Sequence, residues 1–370
     1  MKSRFPKRLS ALLLFAVAAL TATVAAGCGS SSNSQSGSTS AAGKPAGKIQ
    51  ICVLLPDTKS SVRYVLFDRP YLLAAFKAAG VSASVLNAQG DQNTQKSQGE
   101  QCLTNGAKVI LVDALNSGVG ASIENEAAAR GAKTIDYDRL VLNGKSSYYV
   151  SFNNVSVGKL QGQGVVAGLK ANGKYSQKPV VAELNGSPTD NNAKQFKQGY
   201  DSVLNPLYKD GTFKKGPDQS VPDWDNQQAL TIFEQMLART NNKIDAVAAA
   251  NDGLAGAVVS ALKQRHLKAI PLSGQDATPQ GVQNILAGFQ TMTVYKAVRK
   301  EANAAAKVAI AVLRGQKVKT NGVTDNGSRK VPSVLLTPVS ITKENYTLLF
   351  KDGFLKRNQV CIGQFKKFCK

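Results

Sequence analysis

The sequence predicts an α/β protein made of two doubly wound lobes, each built on a parallel sheet. Short β-branched apolar runs alternate with helical patterns in units of about 25–30 residues, which is typical of parallel sheets covered by helices. The alternation restarts after Gly158, and the chain has 370 residues. That length is enough for about two domains, each with its own core.

The first lobe begins with a buried strand over 48–55, an apolar run that ends at Pro56 and Asp57. A helix follows over 69–80, with apolar residues at helical spacing and a glycine at its end. The same alternation continues with strands at 82–86, 109–112 and 134–138 and helices at 92–105 and 122–130.

The second lobe repeats this order. Helices are predicted over 159–171, 192–203, 227–240 and 254–264, and strands over 179–184, 246–250 and 269–273, with a strand-like stretch before Trp224. An Ala-rich helix over 298–313 and a strand over 334–338 come last. We expect these two elements to return to the first lobe or to the hinge.

The N-terminal segment predicts export. Residues 1–8 carry four positive charges, residues 9–26 are apolar, and small residues precede Cys28. This is the pattern of a secretory signal over 1–27, and its end resembles the bacterial lipobox, which implies that Cys28 is lipidated and anchors the protein to the outer face of the cell membrane or in the periplasm. The Ser/Gly-rich stretch 28–47 is predicted to be a tether. The alternative is an ordinary signal peptide cut nearby.

Four cysteines follow the leader, and an oxidising compartment favours disulfides between them. Of the three possible pairings, we prefer Cys52–Cys102 with Cys361–Cys369, because each bond joins partners within one local unit; free buried thiols are the alternative. No CxxC spacing occurs and His266 is the only histidine, so no metal site is expected.

Composition and charge exclude several function classes. The formal net charge is +22, but Lys and Arg are scattered, without the long basic block or aromatic-interleaved stripe of a nucleic-acid groove. No P-loop or GxGxxG motif is present, so no cofactor is expected. With one histidine, few catalytic constellations are possible, and we expect a binding protein rather than an enzyme.

Ligands of open α/β sheets bind at the carboxyl ends of the strands. Carboxylates and guanidinium groups that can bridge neighbouring hydroxyls, with aromatic rings for apolar C–H faces, describe a monosaccharide site. We expect Asp252 to cap the following helix and its neighbour Asn251 to contact the ligand. The candidate residues at the predicted strand ends are Arg63, Tyr64, Asp138, Arg139, Asn192 (in the stretch 190–192), Trp224, Asn251, Asp276 and Lys296.

Seven stretches resemble, in order, the D-xylose-binding proteins of bacterial ABC importers. They are YDR (137–139), SFNN (151–154), GSPTDNNAK (186–194), NKIDA (242–246), AND (250–252), SGQDA (273–277) and QTMTVYK (290–296). The similarity runs from about residue 48 to residue 354. It implies a type I periplasmic-binding fold, in which two lobes joined by three hinge crossovers close on a sugar. It also implies a monomer that delivers the sugar to permease and ATPase subunits.

The resemblance implies lobe boundaries and ligand contacts as well. Residues 48–154 with about 293–333 would form the N-terminal lobe, residues 155–292 with about 334–357 the C-terminal lobe, and 358–370 a tail without a counterpart. Eight of the nine strand-end residues carry over as sugar contacts, and Tyr64 is kept as the stacking ring. Tyr64 stands where the family usually has tryptophan, and the segment around Arg63 matches loosely. Asp138–Arg139 and Lys296 have structural ion pairs as alternative roles, and glucose, ribose or arabinose are alternative ligands, as is a sensor role with a receptor.

Overall fold

The computed structural model describes residues 48–369, which belong to one compact unit, Gly47–Lys370. The predicted signal segment, Cys28 and the tether lie outside the described residues. Within the described range, no helix combines the length and the apolar character needed to cross a membrane.

The described residues contain twelve strands and eleven α-helices. The strands are β1 (Ile51–Leu55), β2 (Ala83–Asn87), β3 (Val109–Val112), β4 (Lys133–Tyr137), β5 (Tyr148–Phe152), β6 (Val180–Asn185), β7 (Lys214–Ser220), β8 (Ala246–Ala249), β9 (Thr293–Tyr295), β10 (Gly322–Asp325), β11 (Lys330–Leu336) and β12 (Val339–Ile341). The helices are α1 (Arg69–Ala78), α2 (Gln92–Thr104), α3 (Ser117–Ala129), α4 (Asn154–Ala171), α5 (Asn191–Lys209), α6 (Asn226–Arg239), α7 (Asp252–Gln264), α8 (Pro279–Leu286), α9 (Val298–Leu313), α10 (Leu348–Lys351) and α11 (Arg357–Val360). A π-helical turn lies at Tyr64–Asp68, and 3₁₀ turns lie at Tyr175–Gln177, Pro222–Trp224 and Gly363–Phe368.

The first lobe is built on a seven-stranded sheet of order β10-β11-β5-β4-β3-β1-β2. Its pairs are parallel except for the antiparallel β10–β11 pair. Alternate residues of β1 serve two cores: Ile51, Val53 and Leu55 join α1 and α9, whereas Cys52 and Leu54 join α2 and α3. The strand is apolar throughout because helices cover both faces of the sheet.

The second lobe has a parallel three-stranded sheet of order β7-β6-β8, extended by a single bridge between Val247 and Leu272. Helix α4 packs against α5, and α6 packs against α7, around one apolar core. The predicted strand over 269–273 is reduced to that bridge. The physical reason is Pro271, which has no N–H to continue a ladder.

The chain passes between the lobes three times, from β5 to α4, from β9 to α9 and from β11 to β12. β9 pairs with β12 and bridges Gln275 of the second lobe, whereas α9 packs on the first lobe. The ladder between β5 and β11 runs to Leu336. The returning part of the first lobe therefore covers 298–336 in the structure, where the sequence predicts about 293–333.

Apolar side chains from distant parts of the chain fill the hinge. Phe67 of the first lobe stacks on Phe354, with ring centroids 4.4 Å apart, and Tyr295 lies 4.9 Å from the same ring. Val360 is fully buried in this cluster, and Gln283 of α8 donates a hydrogen bond to the Val360 carbonyl (3.1 Å). The end of the described chain is therefore part of the hinge.

Two disulfides join the four described cysteines. Cys52–Cys102 ties β1 to α2, and Cys361–Cys369 closes the C-terminal segment. This is the pairing preferred from the sequence.

Several helices begin earlier than the sequence predicts, because Asn side chains cap them. Asn116 Oδ1 accepts from the Val119 amide (3.0 Å) and Asn153 Oδ1 accepts from the Ser156 amide (3.0 Å). Helices α3 and α4 consequently start at 117 and 154 rather than at 122 and 159. Strands β5, β10 and β12 and helices α8, α10 and α11 are absent from the prediction. β5 follows β4 through a loop with no helix between them.

Candidate ligand-binding site

The nine side chains predicted at the strand ends come together in one cavity between the lobes. All of them line it. Eight are buried, and Asp276 is half-buried. The first lobe supplies Arg63, Tyr64, Asp138 and Arg139, the second lobe supplies Asn192, Trp224, Asn251 and Asp276, and Lys296 lies between β9 and α9.

Asp138 lies directly after β4, where its backbone is left-handed with φ of 56°; strained residues of this kind cluster at binding sites. Its carboxylate accepts from Arg63 Nη1 (2.8 Å) and lies 3.8 Å from Lys296 Nζ. Burial alone would raise the pKa of Asp138, but the charges of Arg63, Lys296 and Arg139 outweigh burial and hold this pKa below its ordinary value. Asp138 is therefore an ionised acceptor in a fixed orientation.

Arg63 is held by three carboxylates of the first lobe. Nε and Nη2 donate to Asp68 (2.9 and 2.8 Å), Nη2 also donates to Glu301 (2.5 Å), and Nη1 donates to Asp138. A guanidinium has five N–H donors, and these contacts use four of them. Arg63 thus fixes Asp138 and keeps one N–H to offer a ligand.

Tyr64 lies in the π-helical turn, a feature that often marks functional sites. The guanidinium carbons of Arg63 and Arg139 lie 5.5 and 5.9 Å from the centroid of its ring. Burial raises the pKa of Tyr64, so the phenol keeps its proton. Its hydroxyl accepts from Arg139 Nη2 (3.4 Å).

Arg139 connects the two lobes through Asp190. Its Nε lies 3.2 Å from Asp190 Oδ2 of the second lobe and 3.5 Å from Asp113 of the first lobe. The same Oδ2 accepts from Trp224 Nε1 (3.1 Å), while Asp190 Oδ1 caps α5 by accepting from the Asn192 amide (2.8 Å). Asp190 therefore joins both lobes, although only Asn192 is predicted from this stretch.

Trp224 presents its ring to the cavity from a strained turn, with φ of 52° at Asp223 and 56° at Trp224. Phe196 meets the ring edge-on, with centroids 6.3 Å apart. Gly186 leaves the space that the indole needs, since a Cβ at this position would lie 2.0 Å from the ring. The first residue of the GSPTDNN stretch is therefore a glycine for steric reasons.

The roles of Asn251 and Asp252 differ from the prediction. Asn251 is the cap of α7, because its Oδ1 accepts from the Leu254 amide (2.9 Å), and its Nδ2 donates to the Ser60 carbonyl (3.3 Å). The prediction that Asp252 is the cap is wrong. Asp252 instead accepts from Gln290 Nε2 (2.8 Å) and the Thr278 amide (2.8 Å), contacts that hold the segment around Asp276.

Lys296 and Asp276 close the other side of the cavity. Lys296 Nζ lies 3.3 Å from Asp276 Oδ1, and Ser61 Oγ donates to Asp276 Oδ2 (3.4 Å). Burial alone would lower the pKa of Lys296, but Asp138 and Asp276 outweigh it and raise this pKa above its ordinary value. Lys296 is therefore a charged donor that faces both lobes.

The lobes touch in this conformation, so the structure shows the closed form. Asn192 Nδ2 donates to the Asp138 carbonyl (3.0 Å), in addition to the contacts of Arg139 with Asp190, of Ser61 with Asp276 and of Asn251 with Ser60. Five cavity residues were not predicted as contacts. They are Ser60, Ser61, Asp190, Phe196 and Gln275.

The lining of the cavity has equal numbers of acidic and basic side chains. Asp138, Asp190 and Asp276 face Arg63, Arg139 and Lys296, so three acidic and three basic side chains line it. A neutral ligand with several hydroxyls can accept from the bases and donate to the carboxylates without leaving a charge unpaired. Among the described residues, no group of His, Cys, Asp or Glu is arranged to hold a metal ion.

Comparisons with known proteins agree with this geometry. The periplasmic binding protein domain matches residues 51–317. The chain is 38% identical to the D-xylose-binding periplasmic protein of Escherichia coli K12 over 79% of this chain and 87% of the relative. It is 33% identical to the multiple sugar-binding periplasmic receptor ChvE of Rhizobium radiobacter, over 85% and 93% of the two chains.

The solved structure of an ABC transporter solute-binding protein from Clostridium phytofermentans, with bound β-D-glucose, is similar throughout. Its TM-score is 0.77 at 27% identity, and the match covers 84% of this chain and 99% of that one. The predicted type I periplasmic-binding fold is confirmed. From the matched domain and the sugar-binding relatives, we conclude that this chain belongs to the periplasmic binding protein family.

Proposed function

We propose that this protein is the exported solute-binding component of an ABC sugar importer and that it binds D-xylose between its lobes. The observation that carries the proposal is the closed cavity lined by three carboxylates and three basic groups. Such a lining offers strong hydrogen bonds to a neutral polyol and no net charge to attract an ion. The D-xylose-binding relative supports the choice of sugar.

The residues divide the work of binding. Asp138 and Asp276 accept from sugar hydroxyls, and Arg139, Lys296 and Asn192 donate to them. The rings of Tyr64, Phe196 and Trp224 cover the apolar C–H faces of the sugar. Each charged hydrogen bond contributes about 1.5–3 kcal/mol.

Closure links binding to transport. The sugar binds one lobe, and the contacts it makes with the other lobe stabilise the closed form over the open one. We expect permease and ATPase subunits to act on that closed form, and the protein to be a monomer that is lipid-anchored at Cys28. The protein has no catalytic role in this scheme.

Isothermal titration calorimetry of the chain from Ser30 onward tests the sugar. The panel is D-xylose, D-glucose, D-ribose, L-arabinose and D-galactose, and we expect one xylose per protein with micromolar or tighter affinity. Asp276→Ala or Arg139→Ala should weaken binding roughly ten- to hundredfold. Asp223→Asn, at an exposed neighbour of the site, is the control and should bind normally.

The other outcomes are decisive too. Binding of another sugar alone would change the proposed substrate but not the proposed mechanism. No heat with any sugar contradicts the proposed site, and turnover of nitrophenyl glycosides contradicts a binding-only role. The multiple sugar-binding receptor among the relatives supports a second candidate function. In this alternative, the protein binds several sugars and also docks to a receptor.

A further inference from the structure

The surface of this protein is more basic than its overall composition indicates, because most of the buried charged side chains are acidic. Ten acidic side chains of the described residues are buried, but only three basic ones, Arg63, Arg139 and Lys296. The acids are used inside as cavity groups, ion-pair partners and acceptors of hydrogen bonds from backbone amides and neutral side chains. The excess of Lys and Arg is therefore exposed, and its distribution over the surface carries information.

One face of the first lobe is basic, with little acidic compensation. Helices α1 and α9 lie side by side on it: Arg299 at the start of α9 contacts Tyr71, and Arg314 at its end donates to the Ala79 carbonyl (3.1 Å). Over 69–81 and 298–321, which form these helices and the turns after them, the only acidic residue is Glu301, and it is buried against Arg63. The next acid along the chain, Asp325 at the end of β10, pairs with Lys330 (3.8 Å).

Exposed basic side chains follow one stripe of α9 and the turn after it. Lys300, Lys307 and Arg314 recur at seven-residue spacing, so they share one side of the helix. Lys317 and Lys319 continue the stripe beyond the end of α9. At the start of α9, Asp352 offsets part of the charge of Arg299. The second half of α9 is therefore the more basic half.

An apolar groove runs beside this stripe. It is lined by the apolar residues Ala304, Val308, Ala311, Val318 and Val334, by Lys307, Lys317 and Lys319, and by the polar Thr320 and Asn321. Amines around an apolar groove match a molecule with an anionic head and an apolar body.

The opposite face of the same sheet has a different character. Its helices α2 and α3 carry exposed charges of both signs, which pair within each helix as Lys96 with Glu100 (3.9 Å) and Arg130 with Glu126 (2.6 Å). The uncompensated charge is thus a property of the α1/α9 face and not of the lobe as a whole.

We propose that the α1/α9 face binds the surface of a bilayer that contains anionic phospholipid. Lys307, Lys317 and Lys319 bind headgroup phosphates, and the groove accepts the apolar part of the lipid next to them. The binding is independent of the sugar site, because none of these residues lines the cavity between the lobes. If Cys28 is lipidated, twenty residues before Lys48, the anchor would hold the protein near the same membrane.

Vesicle flotation tests the proposal with the chain from Ser30 onward, which includes the whole compact unit and cannot carry a lipid on Cys28. The vesicles are phosphatidylcholine alone, or phosphatidylcholine with about a third of phosphatidylglycerol. We expect binding only to the anionic vesicles, and release of the protein when the salt concentration rises from about 0.1 M to about 0.5 M.

Two triple variants with the same change of net charge locate the binding. Lys307→Gln with Lys317→Gln and Lys319→Gln should lower partitioning about a hundredfold, since each basic side chain near such a surface contributes about fivefold. The control replaces three exposed second-lobe lysines by glutamine and should lower it much less. These control positions are Lys209, Lys243 and Lys268.

Further measurements distinguish lipid binding in the groove from attraction by charge alone and from binding to other partners. Val318→Ser should weaken vesicle binding and leave sugar affinity unchanged. Equal loss in both triple variants would mean a nonspecific charge effect and would overturn the proposal. So would equal binding to neutral vesicles, no binding to either vesicle, or binding of duplex DNA through these lysines in the absence of vesicle binding.

Discussion

The contact between Arg139 and Asp190 allows a sharp prediction about closure, because its partners belong to different lobes. In the closed form, Asp190 Oδ2 lies 3.2 Å from Arg139 Nε and accepts a hydrogen bond from Trp224 Nε1 (3.1 Å). Asp190 Oδ1 accepts a hydrogen bond from the Asn192 amide (2.8 Å). Asp190→Asn keeps the shape but supplies one acceptor oxygen. Whichever way the amide turns, its NH₂ group faces an N–H donor.

The magnitude follows from which state loses the contact. When the lobes open, Arg139 keeps Asp113 of its own lobe, 3.5 Å away in the closed form, so the substitution weakens the closed form selectively. A charged hydrogen bond is worth about 1.5–3 kcal/mol. Because the sugar binds the closed form, its affinity should fall by the same factor, roughly 10- to 150-fold.

Calorimetry with the tightest-binding sugar of the panel measures this loss. Thermal unfolding checks that Asp190→Asn folds, and Asp223→Asn, on the same loop as Trp224, is the matched control. A double-mutant cycle with Arg139→Met separates the contact between the lobes from direct sugar contacts. Affinity of Asp190→Asn within threefold of the wild type, or fully additive losses in the cycle, would refute the reasoning.

Three further predictions concern the site, the disulfides and pH. Trp224 is the only tryptophan, so sugar binding should change the intrinsic fluorescence. Gly186→Ala, whose Cβ would lie 2.0 Å from the indole, should shift the unliganded emission and weaken binding at least about tenfold; an unchanged spectrum and affinity contradict the packing. Cys102→Ala opens a fifty-residue loop and Cys369→Ala an eight-residue loop, so urea unfolding should show losses of about 4 and about 2.5 kcal/mol, and the reverse order would be inconsistent with loop entropy. Burial raises the pKa of Asp252 to about 7. Because the folded state then binds the extra proton, this group should lower stability by up to about 4 kcal/mol as pH rises from about 4 to about 7. Asp252→Asn should flatten the dependence of Tm on pH relative to the wild type, and parallel profiles would argue against the raised pKa.

Sequence patterns predict the buried core of this fold well. The bounds of β3 and α9 are predicted to the residue, since an apolar β-branched run and a long Ala-rich helical period leave one interpretation each. The sequence pattern predicts the bounds of an element wrongly where a single residue determines them. Pro271 removes the N–H of a predicted strand, and Asn153 starts α4 before its apolar period becomes visible.

The site, too, has features that sequence patterns predict and features that they do not. Strand ends and the resemblance bring Asp138, Asp276 and Lys296 into one cavity, because parallel strands present their carboxyl ends together. The contact of Arg139 with Asp190 depends on how two separately folded lobes close, and no local pattern encodes it. That Asn251 and not its neighbour Asp252 caps α7 depends on the backbone conformation at this turn, which the sequence pattern does not specify for two adjacent Asx residues.

The returning segment 298–336 has a consequence for the order in which the protein can fold. The first lobe starts near residue 48, but α9 covers β3, β4 and β5, and β11 pairs with β5. Until α9 and β11 are available, the apolar side chains of those strands that face α9 have no cover. As the chain is synthesised, the three strands of the second lobe's main sheet are complete by residue 249. The second lobe can therefore begin to fold while the first lobe is still incomplete. A chaperone or export factor that recognises exposed apolar strands therefore has a substrate from the synthesis of β3, which ends at residue 112, until that of β11, which ends at residue 336.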